Sequence, residues 1–165
     1  MKKLSLALLL ALALITPAFA KTFNLPGEDS FASITIPDSW KSKEIDKGVE
    51  SQSSDSEVYF AVEATDAKRM DKSIEEAVNY LKEQGVTVDE KTMKQSEGKI
   101  NGMDVIELDW KGTDKEGDAI IALTILAVTP NKVLLITYWG SPAGTRNKAK
   151  EIGDILGSVK SLVMK

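Results

Sequence analysis

The sequence contains no histidine and no cysteine in its 165 residues. Nucleophilic sites of the Ser-His-Asp and Cys-His kinds are therefore excluded, as are zinc sites built from those ligands. Disulfide bonds and the cysteine-linked lipid anchor of bacterial lipoproteins are excluded too, so the fold must depend on its core. Phosphate-binding glycine loops and dinucleotide fingerprints are also missing. Carboxylates remain as groups for acid–base or metal chemistry.

The first 20 residues have the pattern of a secretory signal peptide. Two lysines at residues 2–3 precede an apolar run over residues 4–15 that only one serine interrupts. Ala18 and Ala20 then occupy the two positions that a signal peptidase reads. The run has about 12 residues, whereas a membrane-spanning helix needs about 20. We therefore predict cleavage between Ala20 and Lys21, and a periplasmic or secreted protein.

Residues 21–165 are the predicted mature chain, and their length suits one domain. They number 145, which is 165 less 20, enough to bury roughly 70% of the unfolded surface. Loss of the lysines at residues 2–3 leaves 19 basic and 25 acidic residues, a net charge of −6. No basic stripe occurs among them, which argues against nucleic acid as a partner. No second apolar run reaches spanning length, so no transmembrane segment is predicted in the mature chain.

A hairpin is predicted at the centre of the fold. Residues 119–128 are apolar except for Thr124, and residues 133–139 are apolar except for Thr137. Strands that do not alternate between apolar and polar residues are covered on both faces. The connection over residues 129–132 is too short for a crossover, so the two strands pair antiparallel. We expect layers packed above and below this hairpin.

A first helix is predicted over residues 71–84. Its apolar side chains recur at i, i+3, i+4 and i+7, which gives one apolar stripe that packs on the sheet. Ser73 and Glu76 have the spacing of a capping box. Gly85 is placed where a helix ends in a left-handed residue.

A second helix is predicted over residues 141–159, after the hairpin. Ser141 is a favourable N-terminal cap, and the proline that follows it is tolerated in the first turn. Gly153 and Gly157 lie within the predicted helix. They either weaken it by about 1 kcal/mol each or permit close approach to the sheet.

The remaining strands complete an α+β pattern. A strand over residues 103–110 places Glu107 and Asp109 on one face and apolar side chains on the other. Further strands are predicted at residues 22–25, 31–36, 58–65 and 87–93, with one or two weak edge strands within 41–56. Six or seven mostly antiparallel strands with two helices indicate a three-layer α/β/α sandwich.

The segment Phe31-Ala-Ser-Ile-Thr-Ile-Pro37-Asp-Ser-Trp40 resembles the opening of the PsbP/Mog-like superfamily, which includes the DcrB-like bacterial envelope proteins. The predicted order of helices, strands and a terminal helix after Tyr138-Trp-Gly-Ser141 is similar as well. The resemblance implies a three-layer sandwich around an antiparallel sheet. Members of the superfamily are mostly binding modules rather than enzymes, and their motifs assign no functional residue in this sequence.

Four carboxylates cluster around the loop before the central hairpin: Asp109, Asp114, Glu116 and Asp118. Oxygen ligands of this kind suit a hard cation such as calcium. Two lysines lie among them and the spacing matches no calcium loop, so a solvated hairpin tip is the alternative interpretation. A carboxylate pair could also hydrolyse a glycoside, although no pair is selected by its spacing.

Five aromatic residues could line a ligand pocket or pack in the core: Trp40, Trp110, Trp139, Tyr59 and Tyr138. Four of them lie on predicted strands, where core packing is the default. Trp40 follows a turn at Pro37, and we expect it to be partly exposed. It is therefore the predicted contact for a partner.

These observations favour an exported, non-catalytic binding or adaptor module of the bacterial envelope. Its expected partner is another envelope protein, and no cofactor is predicted. A small-ligand or metal carrier is the first alternative, and an acid-dyad hydrolase is the second.

Overall fold

The computed structural model describes residues 19–163. The predicted signal peptide, with Ala18, lies outside the described residues apart from positions 19 and 20. Ten strands and three α-helices form within the described range. The strands are β1 (Ala20–Leu25), β2 (Ala32–Pro37), β3 (Lys41–Ile45), β4 (Gly48–Gln52), β5 (Val58–Asp66), β6 (Thr87–Ile100), β7 (Met103–Thr113), β8 (Asp118–Ala127), β9 (Lys132–Gly140) and β10 (Lys160–Ser161). The helices are α1 (Met70–Glu83), α2 (Pro142–Asn147) and α3 (Ala149–Gly157).

Seven strands form one antiparallel sheet in the order β3-β4-β5-β9-β8-β7-β6. The predicted central hairpin is confirmed as β8 and β9, which pair from Ala127 opposite Val133 to Ile120 opposite Gly140. β9 lies in the middle of the sheet, with three strands on either side. This position explains why both strands of the hairpin lack alternation: each carries side chains into a core on both faces.

The N-terminal strands belong to a second, smaller sheet, contrary to the expectation of one sheet. β1, β2 and β10 form this antiparallel sheet in the order β1-β2-β10. Its side chains Leu25, Ile34 and Ile36 are buried in one cluster with Leu126 and Leu134 of the large sheet. Alternation in the sequence shows that one face of a strand is buried, but it does not show which strands are its neighbours.

The two faces of the large sheet are covered by different layers. On one face, α1 buries Ala77 against Leu123 and Leu135. On the other face, α3 packs beside the small sheet and buries Ile155 in the main cluster. The α+β class and the three layers are therefore confirmed, with one layer made of helices and a small sheet together. Among residues 19–163, no helix is both long and apolar enough to cross a membrane.

Both predicted helices differ from expectation at their ends. α1 begins at Met70 without a side-chain cap, so the predicted capping box is wrong. The hydroxyl of Ser73 instead lies 2.8 Å from that of Thr65, and Glu76 accepts a hydrogen bond from Lys47 at 3.2 Å. These side chains face β5 and the β3–β4 turn, because tertiary partners compete with the helix end for them.

The second predicted helix is two helices that meet at Lys148. This residue has φ −98° and ψ 3°, which ends α2 before α3 begins. Ser141 is confirmed as the cap of α2, because its hydroxyl accepts a hydrogen bond from the Gly144 amide at 2.9 Å. Gly153 and Gly157 do not permit close approach to the sheet. An added Cβ would meet no atom within 4 Å at either position.

The edge strand β6 is twice as long as predicted. It runs over Thr87–Ile100 and pairs with β7, with a register shift between Asp89 and Lys94. Beyond residue 93 its side chains are mostly polar, so the sequence carries no periodic signal for that half of the strand. Asn101 and Gly102, which have φ of 50° and 80°, form the turn that joins β6 to β7.

Candidate binding groove

Trp40, the predicted partner contact, is a core residue. Only 3% of its surface is exposed, and its ring centroid lies 5.4 Å from that of Phe60. Its indole Nε1 donates a hydrogen bond to Oε2 of Glu151 on α3 at 2.8 Å. The expected partial exposure of Trp40 is therefore wrong. The indole is held in place by a helix that follows it by 111 residues, and a partner surface must be sought elsewhere.

Three of the other aromatic residues lie on the α1 side of the sheet. The rings of Tyr59 and Trp139 stack at a centroid distance of 4.0 Å. The Tyr59 hydroxyl donates a hydrogen bond to Oε2 of Glu50 at 3.2 Å and lies 3.0 Å from the Tyr80 hydroxyl. Burial raises the pKa of Tyr59, and both neighbours add to the shift. Trp110 packs nearby in the clusters around Leu81 and Leu123. These contacts pack the three aromatic residues against the core, and each side chain keeps a partly exposed surface that borders a pocket on this side of the sheet.

The four predicted carboxylates do not converge. The Asp114 side chain accepts hydrogen bonds from the backbone amides of Glu116 and Gly117 at 2.8 and 3.2 Å, which shapes the β7–β8 loop. Asp109 faces a different part of the molecule. In the part of the chain that the structure describes, no group of three acidic residues is placed to hold a metal ion. The arrangement at the loop matches the solvated hairpin tip rather than a cation site.

A groove lies between the large sheet and the pair α2–α3. It has a volume of about 310 Å³, near the lower end of the range for small-molecule pockets. Its surface is mostly apolar. The sheet contributes Glu107, Asp109, Ile120, Ala122, Thr124, Ile136 and Tyr138, and the helices contribute Thr145, Ala149, Ile152, Gly153 and Leu156.

Small residues keep this groove open. Ala122 on β8 faces Ala149 and Gly153 on α3 across the cavity. The space beside Gly153 is empty, since an added Cβ would meet no atom within 4 Å. At one end, the hydroxyls of Tyr138 and Thr145 lie 2.8 Å apart and join the sheet to α2. The groove is thus a gap in the packing of the two layers, closed at that end by a hydrogen bond.

Two carboxylates form the outer wall of the groove. Glu107 and Asp109 are two residues apart on β7, so both project from the same face of the sheet. Burial raises the pKa of Glu107, and the charge of Asp109 raises it further. Burial also raises the pKa of Asp109, against the opposing effect of Lys94. Within residues 19–163, neither carboxylate has an ion pair or a hydrogen bond that would stabilise its charge.

The sequence placed both carboxylates on one face of a strand, but it did not identify Glu107 as a site residue. The sequence does contain one indication that Glu107 is unusual. An acidic pair on the inward face of a strand next to an apolar hairpin conflicts with burial of that face. Only the position of α3 shows that the pair borders a cavity rather than open solvent.

This arrangement suits a ligand that is both apolar and cationic. The apolar surface can accept a hydrocarbon group, and the carboxylates can pair with a positive charge at its end. Two carboxylates in a groove are also what an acid-dyad hydrolase needs. The polar groups beyond them are the hydroxyls of Thr124, Tyr138 and Thr145, and the last two bond to each other. The groove therefore offers few donors or acceptors to orient a sugar.

No protein-family model matches the sequence, and no curated protein matches it. Solved structures do match its fold. Cyanobacterial PsbP (CyanoP) from Synechocystis sp. PCC 6803 aligns with a TM-score of 0.59 and 7% identity, over 89% of this chain and 95% of that one. The Ran-binding protein Mog1p from Saccharomyces cerevisiae aligns with a TM-score of 0.50 and 11% identity, over 88% and 96%.

A protein from Bacteroides thetaiotaomicron aligns with a TM-score of 0.59 and 18% identity. The alignment covers 87% of this chain and 48% of that protein, so this chain spans about half of its length. These similarities establish a PsbP/Mog-like fold, as the Phe31–Trp40 segment indicated. At such low identities they define the fold and not the function.

Proposed function

We propose that this protein is an exported, non-catalytic binding module of the bacterial envelope, and that it binds another protein through the groove between the sheet and α2–α3. Its mature form is residues 21–165, folded as one domain and located in the periplasm or outside the cell. The signal-peptide pattern of residues 1–20 supports export. The lack of histidine and cysteine supports a role without nucleophilic catalysis.

The observation that carries the proposal is the groove itself. Protein interiors are closely packed and contain few voids larger than a water molecule. A cavity of about 310 Å³ with partly exposed Ile120, Ile152 and Leu156 leaves apolar surface uncovered. A partner that filled it would bury this surface, and such pockets are where interface anchors bind.

The proposal is tested by crosslinking from inside the groove. A photoreactive amino acid is placed at position 153 of the tagged full-length chain, a position that lines the groove and leaves room for a side chain. Position 157 is the matched control, because it lies on the same helix, has equal room and does not line the groove. We expect a protein adduct in intact cells from position 153 and none from position 157.

Two results would contradict parts of the proposal. Export would be contradicted if fractionation found the protein in the cytoplasm and N-terminal sequencing showed that it does not begin at Lys21. If the yield of protein adduct were the same from both positions, or if position 153 gave no adduct, the groove would not be the protein-binding site. If a small molecule then copurified with the protein in native mass spectrometry, the ligand-carrier alternative would replace the adaptor.

A further inference from the structure

The chemistry of the groove defines the group that fills it. We propose that the groove binds a lysine or arginine side chain of the protein partner, with its hydrocarbon stem against Ile120, Ile152 and Leu156 and its cationic head beside Glu107 and Asp109. This inference rests on the proposed function and specifies the partner's contact. The partner presents one such side chain between apolar residues that cover the rim of the groove.

The first argument is the unmatched charge. Two half-buried carboxylates on one strand face repel each other and lose part of their hydration. A partly desolvated charge is unfavourable unless an opposite charge or a hydrogen bond compensates it. Within residues 19–163, Glu107 has neither, and Asp109 has only the through-space attraction of Lys94, without an ion pair or a hydrogen bond. A cation from a partner supplies the compensation, and it does so only in the complex.

The second argument is that the nearest lysines of α3 are already paired. Lys148 lies 3.4 Å from Glu151 and 3.6 Å from Asp55, and Lys150 lies 2.6 Å from Asp154. Lys94, opposite Asp109 on β6, influences its carboxyl through space but forms no ion pair within 4.0 Å among the described residues. Lys94 thus acts on Asp109 only through space, and Glu107 has no cation beside it among the described residues, so we assign the cation in the groove to a partner.

The third argument is shape. Lysine and arginine combine an apolar stem with a charged end, so they cover apolar surface while their head remains polar. A cavity of about 310 Å³ accepts one long side chain with its neighbours, whereas larger ligands fill pockets of up to about 1,000 Å³. Arginine is enriched among the residues that dominate binding energy at interfaces. A single anchor side chain accounts for the size, the apolar lining and the acidic wall together.

The inference is tested by selecting 12-residue peptides from a phage-displayed random library on the purified protein. We expect enriched peptides that carry lysine or arginine flanked by apolar residues. Replacing the selected lysine by norleucine keeps the stem and removes the charge, and should weaken binding at least tenfold. The Glu107→Gln/Asp109→Asn variant should bind the original peptide as weakly as the unaltered protein binds the norleucine peptide.

Matched controls separate the groove from general acidity. The Asp114→Asn/Glu116→Gln variant loses the same charge at the β7–β8 loop and should bind the original peptide unchanged. Gly153→Leu fills the groove without removing charge and should abolish binding. No enrichment, peptides without a cation, or equal losses in both neutralised variants would overturn the inference. A persistent crosslink from position 153 in cells would then leave the groove as a binding site for a neutral anchor.

Discussion

At the scale of single residues, Glu107 shows how the groove affects stability. Burial raises the pKa of its carboxyl, and Asp109 adds to the shift. The folded protein therefore holds this proton more tightly than the unfolded chain does, so stability is lost as pH rises from the unfolded pKa, about 4.3, through the folded one. Glu107→Gln removes this loss. We expect its melting temperature, measured by circular dichroism, to exceed that of the unaltered protein at pH 7 and to equal it near pH 3.

Asp66 provides a control in which the pKa of the carboxyl is shifted in the opposite direction. Its carboxylate accepts a hydrogen bond from Lys132 at 2.9 Å, which lowers its pKa. Its contribution is present above the unfolded pKa, about 3.9, and is lost as pH falls through the folded pKa. Asp66→Asn should thus lower the melting temperature slightly at pH 7, since the pair is exposed. A lower melting temperature for Glu107→Gln at pH 7 would mean that its charge is stabilised in the fold.

Residue environments were the least predictable part of this protein. Trp40 follows a turn in the sequence, but Glu151 on α3 and Phe60 on β5 bury it. The spacing of Ser73 and Glu76 suits a capping box, but partners on other elements bind both side chains. Contacts between positions so far apart in the chain leave no local pattern, so sequence spacing alone cannot reveal them.

At the scale of elements, β8 combines two different environments on its two faces. Leu126 is fully buried in the main cluster with Leu134, whereas Ile125 on the opposite face is half-buried beside α1. Truncating a buried leucine costs about 3 kcal/mol through lost burial and the cavity that remains. We expect Leu126→Ala to lower the free energy of unfolding by this amount and Ile125→Ala by about half as much, measured by urea denaturation. Equal losses would mean that α1 covers β8 as fully as the small sheet does.

The elements that could be predicted are those whose signal is local. The hairpin β8–β9 was evident because both strands are apolar throughout, and α1 because its apolar stripe has helical spacing. Three features had no local signal. The half of β6 beyond the predicted residues 87–93 is mostly polar and is a strand because β7 pairs with it. The break at Lys148 and the separate sheet of β1, β2 and β10 both depend on how distant segments pack.

At the scale of the whole molecule, the groove exists only because of layer packing. α1 covers one face of the sheet, while the small sheet, α2 and α3 share the other. The small sheet and α3 cover this face at β4, β5 and β9, and a gap remains beside Glu107 and Asp109 of β7. The sequence could place Glu107 and Asp109 on one strand face, but the cavity beside them depends on residues from five elements. This is why the candidate site required the structure.

Substitution of Gly153 can distinguish an effect on partner binding at the groove from an effect on the stability of the fold. Glycine weakens a helix by about 1 kcal/mol relative to residues such as alanine and leucine. The space beside Gly153 is empty and belongs to the groove, whereas the equally open space beside Gly157 does not. Leucine at either position should stabilise α3, but only leucine at position 153 should fill the groove.

We therefore expect Gly153→Leu to raise the free energy of unfolding by roughly 0.5–1 kcal/mol and to reduce partner binding at least tenfold. Binding is measured in cells as the yield of the protein adduct from a photoreactive residue at position 149, which also lines the groove. Gly157→Leu, at the last residue of α3, should raise the stability by less and leave the yield unchanged. A more stable protein that binds less cannot be explained by unfolding, so this pair of variants assigns the loss to occupation of the groove. Equal yields from both variants would show that the partner binds without entering it.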